Sequence, residues 1–151
     1  MKQETFIVGG REFTCCAMNA FQANKLLLRL QKVVVPIFGA MAGGTKSIGD
    51  VDVKEAAGVI AANIDESVID EIVLPMFAAS RVYCIENKKF IKGETDIDQC
   101  FTVETLFDFY ELVFLVARFQ FAPFFQTLAG RFGNLIDAPK TQKSPVSSKT
   151  K

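Results

Sequence analysis

Three groups of residues in this sequence are of types that do chemistry. The first is Pro36-Ile-Phe-Gly-Ala-Met-Ala-Gly-Gly-Thr-Lys-Ser47. It approaches the phosphate-cradling pattern G-x-x-x-x-G-K-[ST], in which backbone N–H groups hold the phosphates, the lysine reaches the terminal ones and the hydroxyl meets magnesium. Gly39 and Gly44 have the required separation, but Thr45 intervenes before Lys46 and Ser47. The first turn of the following helix sets both of those directions, so a register off by one residue misdirects both groups. Ile48-Gly-Asp-Val-Asp52 is also poor material for such a turn. The stretch reads as a flexible glycine-rich connector.

The second group is the carboxylates Asp65, Glu66, Asp70 and Glu71. Acid–base catalysis needs a group whose proton affinity is tuned near the working pH, usually a histidine or a carboxylate pair in a pocket. The chain contains no histidine, and this acidic spacing is what helix capping produces by itself. Ser67 lies in no G-x-S-x-G context. The third group is Cys15, Cys16, Cys84 and Cys100. No C-x-x-C occurs, two of the four are adjacent, and adjacent side chains diverge on a strand or a helix, so a zinc site is not expected. A cysteine nucleophile would have only lysine or a carboxylate as its base. We read the four as reduced, mostly buried thiols of a cytosolic chain. The sequence thus calls for no catalytic, metal or cofactor site, and we expect a non-enzymatic protein.

A chain of 151 residues is one domain by size. Its 15 phenylalanines, with no tryptophan, imply a dense core or exposed apolar contacts. The formal charge is zero, but Lys140, Lys143, Lys149 and Lys151 are the only charges after Asp137, so the body before them is acidic. That excludes the basic face of a nucleic-acid binder. No apolar run follows Met1-Lys-Gln-Glu-Thr-Phe6, and the greasiest region, Leu106 to Phe125, is interrupted by Asp108, Glu111, Arg118 and Pro123. We expect neither a secretion signal nor a membrane span, and hence a soluble intracellular protein.

The elements follow from periodicity. Two short β-rich runs around Gly9-Gly10 predict a tight hairpin. From Asn19, a plausible N-cap, a helical stripe runs through Phe21, Leu27, Leu28, Leu30, Val34 and Val35 and stops before Pro36. Val53 to Asn63 suits a short helix, and Asp65 caps another that Pro75 must kink or end. Arg81 to Lys92 predicts a second small hairpin, and Gly93 to Asp98 an acidic loop. Thr102 caps a final helix running to Ala117 or beyond, broken by Pro123. On that helix Glu104, Asp108, Glu111 and Arg118 share one polar stripe, and the rest of the wheel is apolar. The fold class is α+β, predominantly helical. Residues 1–137 form one globular domain, and 138–151 a disordered basic tail. Phe119, Phe121, Phe124 and Phe125 around Pro123 either plug the core or form an exposed docking patch.

This order of elements resembles the tail assembly chaperones of tailed bacteriophages. The likeness covers roughly residues 4 to 126. It is carried by Phe6-Ile-Val-Gly-Gly-Arg-Glu-Phe13, Cys84-Ile-Glu-Asn-Lys-Lys-Phe-Ile-Lys92, Asp96-Ile-Asp98 with Phe101, and Phe119-Gln-Phe-Ala-Pro-Phe-Phe125. The resemblance implies a helper of tail morphogenesis in the host cytoplasm that is not retained in the virion. Such proteins coat the long helical tape measure protein and help recruit tail-tube subunits, and many are made in a second, frameshifted form. The family has no catalytic signature to offer, and no cofactor, nucleic-acid or membrane partner is expected. Helix-in-groove recognition needs adaptable apolar side chains, so Phe114, Phe119, Phe121, Phe124 and Phe125 are the expected partner contacts. The alternative is a small structural component of the tail.

Overall fold

Gly9 and Gly10 both adopt positive φ, 59° and 79°, the combination that a two-residue type I′ turn requires and that side chains oppose. They close the expected hairpin between β1 (Gln3–Val8) and β2 (Arg11–Cys16), in register from Val8↔Arg11 to Gln3↔Cys16. The structure, a computed structural model, describes residues 2–30 and 52–141, with side chains described as far as Pro123. The glycine-rich connector, the approach to Pro36 and the chain from 142 onward lie outside the described residues.

Helix α1 starts after Asn19, whose carbonyl accepts from Ala23 N at 2.9 Å, and is described over 20–30. Helix α2 (Val53–Asn63) is capped by Asp52, whose carboxylate accepts from Glu55 N at 3.0 Å. Asp65 caps α3 (Glu66–Val68), accepting from Val68 N at 2.9 Å and Ser67 Oγ at 2.8 Å. These bonds, led by that from Val68 N, stabilise the carboxylate and lower its pKa. The helix then passes through a π turn (Ile69–Val73) into α4 (Leu74–Ser80). Pro75 therefore does not end the helix, and a π turn stands immediately before α4. The proline has no N–H for the carbonyls one turn back, and that of Glu71 is taken by Arg29 Nη1 from α1 at 3.0 Å.

The second hairpin, β3 (Tyr83–Cys84) and β4 (Lys89–Phe90), lies where expected and completes an antiparallel sheet in the order β1-β2-β3-β4. The expected acidic loop is instead helix α5 (Glu94–Cys100). Two of its three acidic residues, Glu94 and Asp96, lie in the first turn at the positive end of the helix dipole, and Asp96 Oδ2 accepts from Lys92 N at 3.1 Å. Thr102 and Thr105 then form a reciprocal capping box around a 3₁₀ turn, Val103–Thr105, which leads into α6 (Leu106–Thr141). Pro123 does not break this helix. Proline deletes one donor at a local cost of about 3 kcal/mol, but its fixed φ is helical, and the helical flanks carry on through it.

The chain divides into two compact units, Met1–Phe121 and Ala122–Lys151. In the first, the sheet presents Phe6, Val8, Phe13, Cys15 and Cys84 to a core completed by Phe77, Phe101, Phe109 and Leu112. A relay of rings ties strand to helices: Phe13 stacks on Phe101 at 5.9 Å, Phe101 meets Phe109 at 5.7 Å, and Phe109 meets Phe77 at 6.0 Å. Burying each such ring contributes about 2–3 kcal/mol. The turn of the first hairpin abuts Asp108, since a Cβ built on Gly9 would lie 2.2 Å from its Oδ2. Among the described residues no helix is long and apolar enough to cross a membrane.

Candidate partner-binding surface

Helix α6 carries the five phenylalanines expected to meet a partner. Phe114 is buried against Ala56 and Ile60 of α2, with the Arg118 guanidinium 5.3 Å from its ring. Phe121 is 2 % exposed. Phe119 is half-buried and meets Phe6 edge-on at 6.4 Å, with the Lys2 ammonium 5.9 Å from its ring. The side chains of Phe124 and Phe125, in the second unit, lie outside the described residues.

The polar residues among these rings tie elements together. Gln120 Nε2 donates to Cys16 O at 2.7 Å and to Ser80 Oγ at 2.9 Å, and its Oε1 accepts from Met18 N at 3.0 Å. One amide thereby joins β2, α4 and α6, and it satisfies Ser80, which is fully buried. Glu111, read in sequence as part of a polar stripe, is only 7 % exposed. Lys54 Nζ stands 3.2 Å from its Oε2, reaching in from the start of α2. Arg11 lays its guanidinium across the Phe13 and Phe101 rings, at 5.5 and 4.9 Å, and donates to Cys100 O. These are the links of a scaffold and do not converge on a reacting atom.

The thiols have the same character. Cys15, Cys84 and Cys100 are buried and Cys16 half-buried, all four without disulfides. Burial pushes the Cys15 thiol up to about 12, with the neighbouring Cys16 and Glu4 adding to the effect. Burial also raises Cys100, where nearby Cys84 adds to the shift and the Asn87 amide, 3.2 Å away, opposes it. A thiol held protonated is a poor nucleophile and a poor metal ligand. Among the described residues no histidine, cysteine or acidic cluster could hold a metal ion.

The first unit also exposes several large apolar side chains. At the start of α6, Val103 (91 % exposed), Leu106 and Phe107 are bared, at a spacing that puts them on one helix face. On α1, Phe21 (71 % exposed) and Leu28, two turns apart, are bared while Leu26 and Leu27 are buried. Sequence periodicity marks these residues as apolar members of a stripe. It cannot show which flank of the stripe the rest of the chain leaves uncovered. An open cleft of about 410 Å³ lies between β1, the start of α2 and α6, lined by Thr5, Phe6, Ile7, Asp52, Lys54 and Leu115 among others. A smaller hollow of about 200 Å³ beside Phe77, Val82 and Ile91 has Arg81 and Lys92 as its charged residues.

No curated protein and no solved structure matches the chain. A family model described as phage tail assembly chaperone protein does match, over residues 9–133, from the turn of the first hairpin deep into α6. The helix-dominated α+β architecture agrees with the resemblance seen in the sequence. With most of its length matched, the chain belongs to the phage tail assembly chaperone family.

Proposed function

We propose that this chaperone binds the tape measure protein of its phage during tail morphogenesis, acts by contact alone, and is released before the particle is complete. The observation that carries this reading is the bared apolar face of Val103, Leu106 and Phe107 on a firmly capped helix start. Such a face is what an amphipathic helical client needs to cover its own apolar stripe. Tail-tube subunits are a second client of the same kind. Phe124 and Phe125, in the second unit, are proposed as a separate contact. Phe114 and Phe121 are buried, and they serve the client by holding α6 rather than by touching it.

The test is co-expression with the tape measure protein of the same phage, scored by client solubility and pull-down. The wild-type chain is expected to keep the client soluble. Leu106→Ser with Phe107→Ser changes two exposed positions and is expected to leave the circular dichroism spectrum and melting temperature near wild type while the client aggregates. Phe124→Ser with Phe125→Ser is scored in the same way for the second contact. A folded variant that protects its client as well as wild type removes that contact from the proposal. Mass spectrometry of purified particles is expected to find the chaperone absent or scarce. Stoichiometric retention would instead make it a structural part of the tail.

A further inference from the structure

The four-stranded sheet treats its two edges differently. Its β4 edge is two residues long and carries Lys89, whose ammonium reaches Gln99 Oε1 and Asp96 of α5. Short, lysine-bearing edges are how proteins prevent unwanted strand pairing. The β1 edge is six residues long and reads Gln-Glu-Thr-Phe-Ile-Val. Lys2 O accepts from Ala17 N at 2.9 Å, one rung beyond the Gln3↔Cys16 pair. Hydrogen-bonded and non-hydrogen-bonded pairs alternate along an antiparallel ladder, so the even-numbered residues of β1 bond to β2. The N–H and C=O groups of Gln3, Thr5 and Ile7 point away from it, and among the described residues no backbone group pairs with them.

That row of unused donors and acceptors borders the larger cleft. Thr5, Phe6 and Ile7 form one wall, Asp52 to Lys54 the other, and Glu111 and Leu115 the floor. Ile7 is 72 % exposed at its rim. Phe107, of the bared apolar face, lies one turn before Glu111 on α6. Resting on the chaperone reading above, we propose that the β1 edge and this cleft take up an extended stretch of the tail-protein client as an added strand.

The chemistry selects that occupant. Donors and acceptors repeating every second residue match an extended backbone, and a helix has none to offer them. Ile7, bared at the rim, is the apolar side chain that the edge offers to an added strand. The charged lining residues are Asp52, Lys54 and Glu111, the last two paired with each other. A second copy of the chain fits less well. The antiparallel register that pairs all three outward residues is centred on Thr5, and it sets Glu4 of one copy diagonally across from Glu4 of the other, a like-charge contact.

The test uses the full-length chain and overlapping peptides spanning the tape measure and tail-tube proteins of the same phage, with binding read by fluorescence anisotropy. Proline at an outward-facing position of an edge strand spares the internal ladder. Thr5→Pro is therefore expected to fold as wild type and to weaken peptide binding at least about tenfold, the equivalent of one lost hydrogen bond. In the wild-type chain, bound peptide is expected to slow hydrogen exchange at the amides of Gln3, Thr5 and Ile7. Unchanged exchange there overturns the proposal even if Thr5→Pro fails to fold. So does a folded Thr5→Pro that binds peptide as wild type does, or a wild type that holds the full-length client in pull-down yet binds no peptide. A wild-type dimer that Thr5→Pro converts to monomer assigns the edge to self-association and overturns it too. Failure of wild type to hold the full-length client would instead remove the chaperone reading on which the inference rests.

Discussion

Gln120 sits between Phe119 and Phe121, and nothing in its neighbourhood marks it, yet its amide is the hinge pin of β2, α4 and α6. Replacing it with leucine would leave the buried Ser80 hydroxyl, Cys16 carbonyl and Met18 N–H short of partners, and stranded polar groups cost about 1–3 kcal/mol each. We expect Gln120→Leu to lower stability in urea unfolding by about 2–3 kcal/mol. Gln120→Glu should do at least as much harm, since a carboxylate has no N–H for Cys16 O and Ser80 Oγ. Cys15 gives a prediction of another kind. Its thiol titrates near 9 in the unfolded chain and is pushed up to about 12 in the folded one. The unfolded state therefore releases its proton first as pH rises. The contribution of Cys15 to stability is whole below about pH 9 and drains away as pH climbs toward 12. Denaturant midpoints should fall over this range in the wild type and fall less in Cys15→Ala.

At the scale of elements, the π turn before Pro75 shows a local defect repaired by a distant residue. Arg29 of α1 supplies the donor that Pro75 cannot. Restoring an N–H with Pro75→Ala lets the helix serve the Glu71 carbonyl itself. Arg29→Met is therefore expected to cost about 1 kcal/mol in the wild type and clearly less in the Pro75→Ala background, a coupling that a double-mutant cycle reads directly. Most of the architecture is legible in the chain because it is written in local signals. The Gly9-Gly10 turn, the Asp65 and Thr102 caps and the second hairpin around Cys84 to Phe90 each rest on a few neighbouring residues. The acidic segment after Gly93 misleads because polar composition marks a first helical turn as readily as a loop. Pro123 misleads because a proline's cost is local while the tendency of its flanks is shared over many residues. The surface is less legible than the fold: Phe114 and Phe107 look alike in sequence, and only packing buries the first and bares the second.

At the scale of the molecule, the first unit buries three of its four thiols and leaves several large apolar side chains in view. Burial holds Cys15 and Cys100 protonated, and Glu111 and Arg11 are tied into the scaffold. Val103, Leu106, Phe107, Phe21 and Leu28 are set where another chain can meet them. The sheet is joined from two hairpins that stand far apart in the chain, since β2 ends at Cys16 and its neighbour β3 begins at Tyr83. During synthesis the first hairpin must leave the ribosome and wait, with the inner flank of β2 open, until residues through Phe90 have emerged. A nascent chain halted before that point has two unsatisfied strand borders in place of one, so translation speed through the helical middle sets how long this protein is itself exposed to mispairing.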